Sequence, residues 1–278
     1  MHQLLTSYLN VTEAVKLNKS DAKGMIIIMP SLYTRAEAKD IGEYVLFSGD
    51  PWRVETVCKY LDEPQKIAFS REFNTYTGFY KGLRITATST GIGAPSAAIA
   101  MEEMYECGMR TALRMGTSMA LDDDMLGHYI VPIASMRRDG TSFSYADASY
   151  PAVAELEFVN VINETVAGFG KRYVNGVSCT MDGFYTQMRE SKFSKERGVD
   201  MRPLFSELRT MKVSGVDMES ACMLTVGRLM GVSTAVLTVA TVLENLKQVL
   251  EGDKRIEAED LLCRIALESL YKFSKRNK

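Results

Sequence analysis

The segment YVLFSGDPWRVETVCKYL, residues 44–61, contains one complete unit of the fold. Tyr44–Phe47 is a short apolar run of the kind that forms a buried strand, and it stops at Gly49-Asp50-Pro51. Asp50 offers a capping oxygen and Pro51 suits a first helical position, so the segment predicts a helix from Pro51 to Leu61. The same strand, small-residue turn and helix recur downstream. Leu83–Thr90 reads as a strand that runs into TGIGAPS (90–96) and then a helix from Pro95 to Cys107, stopped by Gly108. Thr111–Met115 is another short strand, ending in Gly116-Thr117-Ser118. Between these units lie strands at Lys66–Glu72 and Tyr76–Tyr80, with turn signals at Gly78 and Lys81-Gly82.

Further along, Tyr129–Ala134 and Arg172–Cys179 read as strands separated by a helix from Pro151 to Phe169. A helix from Asp217 to Met230, closed by Gly231, precedes the β-branched run Val232–Leu243. Ala258, Leu261, Leu262, Ile265, Leu270 and Phe273 share one face of a C-terminal helix. No internal repeat or domain boundary interrupts the pattern. The expectation is an α/β single domain, residues 24–278, with a mixed, twisted central β-sheet flanked by helices. Residues 1–23 are expected to be an N-terminal extension that reads as a short helical arm at Ser7–Lys16.

Composition narrows the function classes. The chain has 278 residues, 46% hydrophobic and 24% charged, as ordinary globular proteins have. Its 33 Lys and Arg against 35 Asp and Glu leave a net charge of −2, so no bulk positive field draws in nucleic acid. An anionic small ligand must be held by locally placed arginines. Cys58, Cys107, Cys179, Cys222 and Cys263 are odd in number, far apart and never in CxxC spacing, which points away from disulfides and zinc and toward a reducing, cytoplasmic compartment. Met25–Met29 is too short to span a bilayer. His2 and His128 are too few for a Ser-His-Asp or multi-histidine constellation.

The chemistry sits where strands end. Gly49-Asp50-Pro51-Trp52-Arg53 lets the backbone approach an anion at a helix start while Arg53 reaches it by side chain; a plain turn with a surface arginine is the simpler alternative. TGIGAPS is neither a GxGxxG fingerprint nor a Walker loop, so dinucleotide and ATP cofactors are not suggested. Arg114 lies near the end of an apolar strand, where a guanidinium is costly unless an anion or carboxylate meets it. Met218-Glu219 opens an apolar helix; Glu219 is either a site carboxylate or a solvated helix-start residue with Asp217 as the cap. Phe184-Tyr185-Thr186-Gln187-Met188-Arg189 suits stacking on, and hydrogen bonding to, a planar heterocycle. Leu121-Asp122-Asp123-Asp124 reads as a solvated loop.

The blocks GDPWRV (49–54), SREFNTYTG (70–78), TSTGIGAPSAAIAMEEM (88–104), ALRMGTS (112–118), ASMRRDG (134–140), YPAVAEL (150–156), MDGFYTQMR (181–189) and VDMESACMLTV (216–226) resemble, in order, those of the nucleoside phosphorylase-I family, most closely its uridine phosphorylase branch. That resemblance implies phosphorolysis of a nucleoside to free base and ribose 1-phosphate. It implies phosphate binding by Gly49, Arg53, Arg114 and Thr117, with Arg71 reaching in from a neighbouring subunit. Ribose would meet Thr117, Met218 and Glu219, and the base Phe184, Gln187 and Arg189. Arg114, Glu219, Gln187 and Arg189 would carry catalysis. Glu72, Ile92 and Ser96 match positions that hold a monovalent cation such as K+ between subunits in some bacterial members. The implied assembly is a homo-oligomer, a dimer or trimer of dimers, without an organic cofactor, a required metal, nucleic acid or membrane.

Four departures stand out. Only Thr186 occupies the loop where the family has Pro-Gly before its Gln-x-Arg pair. Met29-Pro30-Ser31-Leu32 lacks the family histidine, and Asp217 stands where a Glu is usual. At the strand end where uridine phosphorylases carry an Arg, this chain has Glu244, and purine-cleaving relatives carry an acidic general acid there. Gln187 and Arg189 therefore point to a pyrimidine and Glu244 to a purine; a catalytically silent nucleoside-binding homologue is the third possibility.

Overall fold

In the computed structural model, which describes residues 30–276, the Tyr44–Ser48 run is strand β1, covered on both faces. A strand buried on both sides needs a continuous apolar run, not an alternation, and Val45-Leu46-Phe47 supplies it. β2 (Asp62–Ser70), β3 (Phe73–Tyr80) and β4 (Leu83–Ser89) form an antiparallel meander, whose second hairpin turns on Lys81 and Gly82, both with positive φ. β1 lies parallel to β4 on one side and to β5 (Thr111–Ala120) on the other, with Ser48 opposite Ser89 and Met115.

The remaining strands are β6 (Tyr129–Arg138), β7 (Ala152–Val153), β8 (Tyr173–Met181), β9 (Val213–Asp217) and β10 (Ser233–Leu243). β5 pairs with β10, β10 with β6, β6 with β8, β8 with β9, and β9 returns to β5, so half of the mixed sheet closes into a ring of five strands. The described helices are α1 (Pro51–Cys58), α2 (Ala94–Glu106), α3 (Ser142–Tyr145), α4 (Leu156–Gly168), α5 (Lys192–Glu196), α6 (Arg202–Thr210), α7 (Ser220–Leu229) and α8 (Gly252–Arg276).

Helices cover both faces of β1 and β5, and the two-residue period of the strands sorts their side chains. Leu46, Leu113 and Met115 pack with Val54 of α1, Phe158 of α4 and Leu262 and Phe273 of α8. The rings of Phe158 and Phe273 stack at 4.2 Å. Val45, Phe47 and Ala112 face the other way, onto Ala97 and Met101 of α2 and Met223 of α7. Each such large apolar side chain contributes about 1.5–3 kcal/mol on burial.

Most predicted elements are present, with instructive differences. Asp50 caps α1 as expected, accepting the Trp52 N–H at 2.9 Å. Gly78 is not a turn but lies within β3, where a Cβ would come within 3.0 Å of the Asp62 carbonyl oxygen. The strand at Thr111 runs on through Gly116-Thr117-Ser118 to Ala120, because β10 pairs with it along its length. Asp217 ends β9 instead of opening the helix, which begins at Ser220. The helix expected from Pro151 starts at Leu156, since Ala152 and Val153 pair with β6 as β7. Strand β9 has no sequence counterpart: its Gly215 and Ser214 interrupt any apolar run. The arm at Ser7–Lys16 lies outside the described residues.

Candidate active site

Arg114 shares the two-residue period of Ala112, so it leaves β5 on the α2–α7 face. It is 3% exposed. Its Nε donates to Asp217 Oδ2 at 3.0 Å, and its Nη2 pairs with Asp217 Oδ2 at 2.9 Å and with Glu219 Oε2 at 2.5 Å. Nη1 is buried and has no hydrogen-bond partner. The guanidinium folds back along its own strand onto Gly116, where a Cβ would lie 3.2 Å from Nη2 and 3.4 Å from Nη1. Glycine at 116 is thus what lets the arginine lie flat.

Both carboxylates come from the β9–α7 junction. Asp217 accepts the Thr180 hydroxyl at 2.8 Å, the Ser220 N–H at 3.2 Å and the Ser220 hydroxyl. The N-cap position of α7 is Glu219, not Asp217, but the Asp217 carboxylate still accepts the first helical N–H while anchoring Arg114. Glu219 is buried, not solvated, and its Oε1 accepts the Gly93 N–H at 2.6 Å. The TGIG turn hence presents a backbone donor to a carboxylate, and Gly93 adopts φ of 101°, open to glycine alone. Burial pushes Glu219 above the usual carboxylate range; Asp217 adds to this and Arg114 opposes it. One guanidinium serves two carboxylates here.

Arg53 approaches from the opposite face, on α1, and is 7% exposed. Its Nη1 donates to Ser48 Oγ at 3.2 Å, its Nη2 pairs with Glu259 Oε2 at 3.1 Å, and its buried Nε has no partner. Ser48 ends β1 opposite Met115, one residue before Gly116, so the contacts of Arg53 and Arg114 fall at neighbouring positions of adjacent parallel strands. Gly49 approaches the same edge closely, where a Cβ would be 3.2 Å from the Gly91 carbonyl oxygen. Thr117, half-buried, follows Gly116. Arg71 stands apart. It occupies the β2–β3 turn, exposed, at a φ of 54° unusual for a side-chain-bearing residue, with its guanidinium 5.4 Å from the Tyr33 ring centre.

Phe184–Met188 forms one π-helical turn, closed by the Arg189 N–H on the Phe184 carbonyl at 2.8 Å. Gln187 is half-buried, and its Oε1 accepts the Gly183 N–H at 2.7 Å. Phe184 packs edge-on against Tyr185, and Arg189 is exposed. The turn is tied to the segment after β10 by the Glu190 N–H on Asn245 Oδ1. In that segment Glu244 is ion-paired with Arg209 of α6. Met218 is half-buried between the two acids. Glu72 packs against Gly91, and the Ser96 hydroxyl lies 3.4 Å from the Ile92 carbonyl, so Glu72, Ile92 and Ser96 share one corner.

Asp217 as an anchor, Arg209, Glu259 and the Gly93 N–H are missed by sequence reasoning. Only Asp217 had a local signal, its departure from the usual Glu; the others act across 35 positions of chain from Arg209 to Glu244, 126 from Gly93 to Glu219 and 206 from Arg53 to Glu259. Asp122 caps a short 3-10 turn and Asp123 pairs with Lys247, so the acidic run is structural. Among the described residues no group of three His, Cys, Asp or Glu side chains is placed to hold a metal, and no helix is long and apolar enough to cross a membrane. Cavities of about 330 Å³ beside Tyr60 and Arg264 and about 720 Å³ beside Leu121 and Lys212 are lined by neither Arg53, Arg114 nor Glu219.

The family model of the Phosphorylase superfamily matches residues 43–271. The uridine phosphorylase of Thermococcus kodakarensis is 38% identical over 193 residues, 69% of this chain and 70% of that protein. The uridine phosphorylase of Escherichia coli is 32% identical over 223 residues, 80% of this chain and 88% of that protein. A crystal structure of uridine phosphorylase from Vibrio fischeri superposes with a TM-score of 0.79 at 30% identity, covering 89% of this chain and 100% of that one. With the family model matched over most of the chain and relatives above 30% identity covered over more than two thirds of their length, this protein belongs to the phosphorylase superfamily, among the nucleoside phosphorylases that its blocks resemble.

Proposed function

We propose that this chain is a pentosyltransferase that cleaves the N-glycosidic bond of a nucleoside, uridine foremost, with inorganic phosphate, releasing base and ribose 1-phosphate. The observation that carries the reading is a pair of buried arginines, each keeping one buried N–H without a partner: Arg53 Nε and Arg114 Nη1. Buried donors are normally satisfied, and planar guanidinium forks suit a phosphate.

Phosphate is itself the nucleophile, so no side chain need form a covalent intermediate. Breaking the bond builds positive charge on the sugar and negative charge on the leaving base, and the residues act by placement. Arg53, Arg114, Gly49 and Thr117 hold phosphate against one ribose face. Glu219, with Met218 and Thr117, orients the ribose hydroxyls and lends negative potential to the forming cation. Gln187 and Arg189 stabilise the departing uracil, and Phe184 flanks it. Glu244 is occupied by its ion pair with Arg209, which favours the pyrimidine reading over one needing Glu244 as a free acid for a purine.

The charge count supports a shared site. Within one chain the two arginines face Asp217, Glu219 and Glu259, so a bound phosphate calls for a further cation, and Arg71 of a second copy supplies it in a homo-oligomer, a dimer or trimer of dimers. A K+ at Glu72, Ile92 and Ser96 would belong to the same interface. Free thiols at all five cysteines fit a cytoplasmic enzyme of pyrimidine salvage.

The test is a panel of uridine, thymidine, inosine, guanosine and adenosine with and without phosphate. Phosphate-dependent uracil release, fastest with uridine, is expected. Binding without turnover would indicate a silent homologue, faster inosine or guanosine cleavage a purine enzyme, and turnover indifferent to phosphate a hydrolase. Inosine and guanosine are included because a guanosine phosphorylase of Halorubrum lacusprofundi is 34% identical over 155 residues.

A further inference from the structure

We infer that Glu259, on the C-terminal helix, is a positioning residue for phosphate binding, acting through Arg53. The inference rests on the reading of Arg53 as a phosphate ligand and extends it to a residue far along the chain. Two contacts set the plane of the Arg53 guanidinium: Ser48 Oγ on Nη1 at 3.2 Å and Glu259 Oε2 on Nη2 at 3.1 Å. With both Nη groups engaged, the direction of the buried Nε–H is fixed, and that is the donor left without a partner.

Glu259 is itself held. Its other oxygen, Oε1, accepts from Arg255 Nε at 2.9 Å, one helical turn earlier, so the carboxylate bridges an outer and a buried guanidinium. Its backbone is set independently, because Leu262, Ile265, Ala266 and Leu270 of the same helix lie in the core with Leu46, Leu113 and Met115. The last helix thus reaches the strand ends with one acceptor and aims an arginine there. Without it, Arg53 would keep one long hydrogen bond in a buried setting and lose its orientation. Small misplacements of a substrate-positioning group cost up to about a hundredfold.

Steady-state kinetics with uridine and phosphate varied separately test this. Glu259→Ala should raise the KM for phosphate about tenfold while leaving kcat and the KM for uridine within about twofold. Glu259→Gln keeps an acceptor without the charge and should restore most of the loss. Glu259→Met, which preserves volume, serves if the alanine variant melts early. The opposite sign overturns the proposal: a carboxylate that merely repels phosphate would give a lower phosphate KM in every variant, and an unchanged KM would reduce Glu259 to a structural residue. Arg53→Ala measured alongside separates the two levels. If it leaves the phosphate KM untouched, the ligand reading of Arg53 fails; if it raises that KM and adding Glu259→Ala raises it no further, Glu259 acts through Arg53.

Discussion

Replacing Arg114 by lysine isolates what the guanidinium does. Arginine here binds Asp217 through Nε and Nη2, Glu219 through Nη2, and keeps Nη1 free. Lysine retains the charge on a compact ammonium, which cannot serve two carboxylates and a phosphate in a fixed fork. Removing one charged donor aimed at the reacting groups costs on the order of 2.7–4 kcal/mol, about 10²–10³ in rate. Alanine would lose at least as much, but it would also strand two buried carboxylates without their cation. Breaking a buried pair costs roughly 3–5 kcal/mol, a large part of a typical stability of about 5–15 kcal/mol. Lysine separates chemistry from folding. The assay is the initial rate of uracil release with phosphate varied, read with a thermal melt. We expect kcat/KM for phosphate to fall at least a hundredfold in a protein that melts within about 10 °C of the parent, at roughly 2–4 °C per kcal/mol. A folded lysine variant with kcat/KM for phosphate within about threefold of the parent would refute the assignment, leaving Arg114 as an ion-pair partner only.

Three further outcomes are expected. Gly116→Ala places a methyl 3.2–3.4 Å from the Arg114 guanidinium and should raise the phosphate KM about tenfold; unaltered kinetics would show that the arginine does not need to lie along its strand. Arg71→Ala and Arg114→Lys should each be nearly inactive alone, yet regain part of the activity when mixed under subunit exchange, because one copy then offers an intact Arg71 to an intact Arg114; failure of exchanged mixtures to recover places Arg71 outside a neighbour's site. Burial lifts the Glu219 carboxyl, so the folded protein holds that proton more tightly than the unfolded chain, and the stabilisation is full in acid and lost as pH rises through the folded value. Glu219→Gln, always neutral, should therefore gain melting temperature relative to the parent between about pH 4 and pH 8; a constant difference across that range would contradict the burial argument.

The Glu244–Arg209 pair shows how far a linear reading goes. At the level of the chain, Glu244 pulls toward a purine acid and Gln187 with Arg189 toward a uracil. Helix α6, for which no sequence expectation existed, brings Arg209 onto Glu244, so that this carboxylate is held in an ion pair. Gln187 is a converse case. The shortened loop at Thr186 is plain in the sequence, but only the π-helical turn shows its consequence, an amide oxygen drawn onto the Gly183 N–H.

Local chemistry was therefore readable residue by residue. Asp50 and Pro51 begin a helix through contacts with their immediate neighbours, the apolar run at Val45–Phe47 can only be a covered strand, and the order of eight blocks marks the family. An arginine in the apolar strand at 114 announced that some anion must meet it. Which anion, and on which of its nitrogens, depended on contacts between distant parts of the chain: Asp217 and Glu219 from the β9–α7 junction meet Arg114, just as Glu259 from the last helix meets Arg53, within a sheet that closes five strands into a ring. Caps and periodicity arise from neighbours a few residues apart, whereas the partner of a buried charge is chosen by packing, and packing exists only once the chain has folded.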